Sequence, residues 1–325
     1  MPRNTPRTLT LFLGLLAPTS ILAGQGAVDP SIAPRAAQLA RSGDRQQATE
    51  MLGHYLATAP DDGSAWLELG QLYLADGREW HRGGHAGEPP AGLFLDIAAT
   101  ALDQSLRLPT DSRHLVRALI EVERAVGEVE DEGWTTMRAS FVLTPGAEPP
   151  TYVLEIGRNL VNSCPLGGVL VTGSDLESVA AWSAVLEDRV RADLLLILGT
   201  RFAGDSIYRS AMSFALDVPG QTTAHDALAQ AATRRPVCLA PDTDSLLAPG
   251  GPMRVIRMVH VAGPGAPESA APLSVADLLQ ADYAHPGPIT DEVLTLYLAA
   301  ARANPALCIS FLAPLGARQR SGCGR

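Results

Sequence analysis

Two rhythms of apolar and polar positions run along this chain. Ahead of Thr144 the apolar positions recur every three or four residues, the spacing of helices that bury one face. Beyond Pro150, short unbroken apolar runs closed by glycine interleave with amphipathic stretches. The clearest unit is Gly167 to Leu198, GGVLVTGSDLESVAAWSAVLEDRVRADLLLIL. Val169 to Thr172 is a β-branched run between glycine-bearing turns, as in a buried parallel strand. Ser174 or Asp175 can then cap a helix on which Val179, Trp182, Val185, Leu186 and Val190 share a face. Leu194 to Leu198, closed by Gly199, is a second buried strand. A strand, a crossover helix and a parallel strand make a right-handed βαβ unit.

The remaining pattern fills in around that unit. Tyr152 to Ser163 reads as a helix feeding it, Asp205 to Leu216 and His225 to Thr233 as helices beyond it. Pro236 to Ala240 and Arg254 to Val261 read as third and fourth strands, Ser274 to Ala281 and Thr290 to Asn304 as closing helices. The expected architecture is therefore α followed by α/β, with a mostly parallel sheet of about four strands. The divisions are a helical region at 31–126, a linker at 144–150 (TPGAEPP runs over 144–150), an α/β region at 151–312 and a polar tail at 313–325.

The helical region repeats itself. Ala36, Leu39, Gly43, Ala48, Leu52, Tyr55 and Pro60 stand where small, large and turn residues fall in a helix-turn-helix repeat of about 34 residues. Trp66, Leu69, Gly70, Tyr73 and Gly77 start a second copy, with WLELGQLY its most specific string. Over residues 31–109 these positions resemble the tetratricopeptide family, which implies paired helices with a concave face for a protein partner. The second copy departs from that pattern at His81 to Gly92, HRGGHAGEPPAG, an insertion before the helix resumes with Ala98, Leu102 and Ser105. Asp111 to Val126 continues as a helix, and Glu128, Glu130, Asp131 and Glu132 read as a solvated acidic turn. Trp66, Tyr73, Trp80, His81 and His85 are the partner-contact candidates. His81 and His85 could make an H-x-x-x-H metal pair, but a Gly/Pro-rich loop does not hold them at ligand spacing and no third ligand is near; no metal and no cofactor is expected.

Composition narrows the function. The formal net charge is −10, and all 25 basic residues are Arg with no basic run, so a nucleic-acid surface is not expected. Residues 1–23 look like a signal peptide: Arg3 and Arg7, the apolar run Leu11 to Leu16, Pro18, then Ile21-Leu22-Ala23. The expected location is the periplasm or the outer face of the inner membrane, with the segment cleaved or kept as an anchor. An oxidising compartment permits disulfides. Cys164, Cys238, Cys308 and Cys323 allow three pairings, and buried free thiols are an equal reading.

A second resemblance rests on Gly168 to Gly173 with Trp182, on Arg191-Ala192-Asp193-Leu194, on Arg235 to Ala240 and on Leu246 to Val261. Together they look like the soluble C-terminal portion of the bacterial membrane family called domain of unknown function 2723, relatives of protein O-mannosyltransferases. That family has an Asp- and Asn-rich turn after the first strand; here Ser174 and Leu176 stand at two of the acidic places. The family's multi-span part is missing, so the resemblance does not imply a transferase.

Ligands of open parallel sheets bind beyond the carboxyl ends of the strands. That places Ser174 and Asp175 with Asp242 and Asp244, a D-x-D pair able to hold a divalent cation on a sugar nucleotide, in one expected crevice. Asp is equally a routine turn former and helix cap. There is no phosphate-binding loop, G-x-S-x-G elbow or H-E-x-x-H motif, and no catalytic residue is assigned. The expected function is thus a non-enzymatic exported binding or scaffold protein contacting envelope or membrane proteins through its repeats, with no small-molecule ligand implied. The alternative is a sugar- or nucleotide-binding enzyme using the crevice.

Overall fold

A computed structural model describes residues 28–83, 92–105, 110–187, 189–219, 222–265 and 272–310. The proposed signal peptide, His85 and the tail at 313–325 lie outside them. Helices α1 (Ile32–Arg41) and α2 (Arg45–Leu56) pack together, and α3 (Gly63–Gly83) packs on both of them and on α4 (Gly92–Gln104). Ile32, Ala36, Ala48, Leu52, Leu56, Ala65, Leu69 and Leu72, with Ala101 from α4, form a small core of their own. The long helix α5 (Asp111–Glu132) follows, capped by the Thr110 hydroxyl, which accepts from the Arg113 amide. It runs on through the stretch expected to be an acidic turn, because Val126 and Val129 are buried along its core face and only Gly133 ends it. The short α6 (Trp134–Ser140) and the connection to α7 (Thr151–Val161) complete this half.

The second half is built on a sheet. Strand β1 (Val169–Thr172) leads into α8 (Asp175–Trp182), prolonged by a π-helical turn at Ser183–Glu187, and then into β2 (Leu195–Leu198). Short α9 (Gly199–Gly204), α10 (Ser206–Ala215) and α11 (Ala224–Ala232) precede β3 (Val237–Leu239). A hairpin of β4 (Arg254–Ile256) and β5 (Val259–Ala262) is followed by α12 (Ala276–Ala284), α13 (Pro288–Ala303) and α14 (Ala306–Ser310). The βαβ unit forms as expected: β1 pairs parallel with β2, Val169 opposite Leu195.

The sheet as a whole corrects the expectation. It has five strands in the order β2-β1-β3-β5-β4, and β5 runs antiparallel to both β3 and β4. The sheet is mixed, and the fold is α+β. The single strand expected over Arg254 to Val261 is a hairpin reversed at Arg257-Met258, where Arg257 takes φ 52°. No Gly or Asn marks that turn, so the apolar run hid it. The helix expected over Asp205 to Leu216 forms as α10, with Asp205 capping it by accepting from the amides of Ile207 and Tyr208, and the short α9 ahead of it was not expected.

One apolar cluster runs from Leu74 through α5, α7, α8 and the sheet to Leu307. Within the 144–150 connection Ala147 and Pro149 are buried, and Thr144 donates to Glu121 at 3.0 Å. Trp182 lies inside this core, edge-on to Trp134 with ring centroids 5.6 Å apart. Cys164 and Cys238 form a disulfide that ties the turn before β1 to β3, and no cysteine among the described residues is free.

Candidate functional site

Strand order makes β1 and β3 the pair between which the chain reverses direction across the sheet, so the loops after them define the expected crevice. Ser174 caps α8 by accepting from the Glu177 amide, and the Glu177 carboxylate returns to accept from the Gly173 amide at 2.7 Å. The spacing is the S-x-x-E of a capping box, with the carboxylate taking the amide one residue before the cap. The second Glu177 oxygen accepts from the Asp242 amide at 2.9 Å, and the Thr243 hydroxyl donates to the Val171 carbonyl. A fully buried carboxylate thus staples the two loops together. They touch directly as well: a Cβ at Gly173 would lie 2.0 Å from the Asp242 carbonyl oxygen. Asp244 turns away to cap the 3-10 turn at Ser245–Leu247 through the Leu246 amide.

Asp175 is engaged from the helical half. Arg78 on α3 donates to both its oxygens, each at 2.9 Å, and its Nε donates to Glu123 of α5 at 2.7 Å. Glu123 also accepts from Arg201 of α9, which donates in turn to the Arg78 carbonyl at 3.2 Å. Burial opposes the Arg78 charge, but Glu123 and Asp175 outweigh it and raise its pKa above the ordinary value. Burial pushes Glu177 up to about 7 against the Gly173 and Asp242 amides, which favour the ionised form. Glu292 of α13 is raised by burial and then by the charges of Asp242 and Asp175.

The predicted residues therefore meet in part. Ser174, Asp175 and Asp242 share this corner, while Asp244 is a turn cap. No group of three His, Cys, Asp or Glu side chains among the described residues is arranged to hold a metal ion. Arg78, Glu123, Glu177, Arg201 and Glu292 carry the electrostatics and went unread. Only Glu177 left a trace, in its S-x-x-E spacing after Ser174.

On the helical half, Trp66, Tyr73 and Trp80 recur every seven residues along α3, all half-buried. Trp66 donates its indole N–H to the Pro60 carbonyl at 2.8 Å. Tyr73 packs against both apolar clusters, and Trp80 meets Phe94 with centroids 5.5 Å apart. These side chains are packed within the helical half and are only partly exposed. The backbone of His81 belongs to α3, so the helix extends three residues into the expected insertion. No protein-family model, curated protein or solved structure matches the chain.

Proposed function

We propose that this chain is an exported, non-enzymatic binding protein, an accessory or stabilising subunit that holds an envelope or membrane protein through tetratricopeptide-type hairpins. The observation carrying the reading is the engagement of the crevice residues within the fold: Glu177 staples the two loops together, and Arg78 pairs with Asp175 from the helical half. The repeat reading draws support from Gly70 and Gly77, where an added Cβ would lie 3.0 Å from Leu102 and 3.3 Å from Leu95 of α4. Those are the close helix contacts that the small positions of such repeats serve. The likeness of the second half to the soluble portion of the membrane family is consistent with the β1-α8-β2 order, and it directs the search toward membrane complexes.

Export is supported by the Cys164–Cys238 bridge and by Cys308, which is also disulfide-bonded. No helix among the described residues is long and apolar enough to cross a membrane. The test is affinity purification of the tagged chain from gently solubilised envelopes, with identification of what accompanies it. A stoichiometric protein partner is expected. Loss of function in Asp175→Asn/Asp242→Asn/Asp244→Asn protein that still folds and keeps its partner would instead favour the enzyme reading.

A further inference from the structure

A cleft of about 940 Å3 follows the seam between the two halves. Its walls are the first turn of α5, residues Glu148 to Pro150, the first turn of α7 and the outer face of α12. Tyr152, Pro149 and Pro150 give its lining a stiff apolar part, to which Ala281 and Ala284 add. The buried Tyr152 donates its hydroxyl to Asp111 at 2.8 Å, which fixes that carboxylate at the rim. Among the described residues that line it, carboxylates come from three separate elements, Asp111, Glu148 and Asp277, with His114 and His285 beside them and no arginine. The C-terminal end of α12 arrives here at Ala284 and His285 with a negative dipole end, while the first turns of α5 and α7 bring positive ones, so the attraction for a cation comes from the carboxylates.

We propose that this cleft receives an extended segment of a partner protein by its arginine or lysine side chains. The proposal rests on the partner-binding reading above and adds to the α1–α4 hairpins a second contact at this seam. Aliphatic stems of such side chains lie along proline, alanine and the tyrosine ring, while the charged ends meet the carboxylates. A net charge of −10 draws a basic segment in from a distance.

The experiment is fluorescence anisotropy with a labelled Gly-Arg hexapeptide repeat and its Gly-Glu counterpart, on the full chain. The arginine peptide should bind, more weakly as salt rises, and the glutamate peptide should not. Asp111→Asn/Glu148→Gln/Asp277→Asn should weaken binding about tenfold or more, since truncating charge partners at an interface costs at least that much. Glu50→Gln/Glu128→Gln/Glu132→Gln makes the same change of net charge on exposed helix surfaces and should leave binding within about twofold. Circular dichroism shows whether each variant is folded; each swap keeps the side-chain size. No binding, equal binding of both peptides, or equal loss in both triple variants overturns the cleft. A native partner that co-purifies undiminished with the cleft variant also overturns it and leaves the binding function standing, whereas no partner with the unaltered chain removes the binding function itself.

Discussion

At Glu177, competing terms act on one side chain. The carboxylate is wholly buried, and its two amide donors recover part of the hydration it gives up. Its folded pKa of about 7 stands above the ordinary 4.5. A raised carboxyl contributes stability that is fully present below pH 4.5 and lost as pH rises through about 7, amounting to about 3 kcal/mol. Urea midpoints measured from pH 4.5 to 8 should therefore fall with rising pH, and Glu177→Gln should flatten that slope. An unchanged slope in the variant would assign the effect to other groups. Gly173→Ala is a second test at this scale: its methyl meets the Asp242 carbonyl, and displacing the loop should cost about 2 kcal/mol or more in the same assay. The capping half of this staple was legible as Ser174-x-x-Glu177. The other half joins residues 65 positions apart, and no local pattern encodes such a bond.

Among elements, the contacts that matter cross between helices. Glu123 on α5 sits between guanidiniums of α3 and α9, its side chain 2 % exposed, whereas Asp175 at the end of the same network is 57 % exposed. Charges removed from these places have different costs. Glu123→Gln leaves Arg78 and Arg201 short of a buried counter-charge and should lower stability by about 3 kcal/mol or more. Asp175→Asn breaks a solvated pair and should cost about 1 kcal/mol or less. Denaturant titration of the two variants checks the order, and equal losses would mean the network is less buried than the geometry implies. Helices and the parallel strands were readable because each buries a periodic or continuous apolar run. The β4–β5 hairpin was not, because Arg257 supplies the positive φ that a turn glycine would have announced. Arg78 gave no signal at all, being one arginine of 25 whose role comes from partners on other helices.

For the molecule as a whole, the continuous core argues that the two halves unfold together. Leu74, α5 and the sheet share one apolar cluster, the 144–150 connection is packed down by Ala147 and Pro149, and Arg78 pins α3 to α8. The composition shift at 144–150 marked a change of architecture, and the structure adds that packing continues across it. The Cys164–Cys238 bridge closes a loop across 74 positions inside that core, a crosslink that restricts the unfolded chain by about 4 kcal/mol. Cys164→Ala/Cys238→Ala protein should lose roughly that much stability while unfolding in a single transition like the parent, because the bridge lies within the unit rather than between two. Calorimetry with parallel far- and near-ultraviolet circular dichroism reads both quantities. Two resolved transitions, with loss of far-ultraviolet helical signal separated from loss of near-ultraviolet core packing, would show that the halves are thermodynamically separate and that the seam cleft between them is free to open.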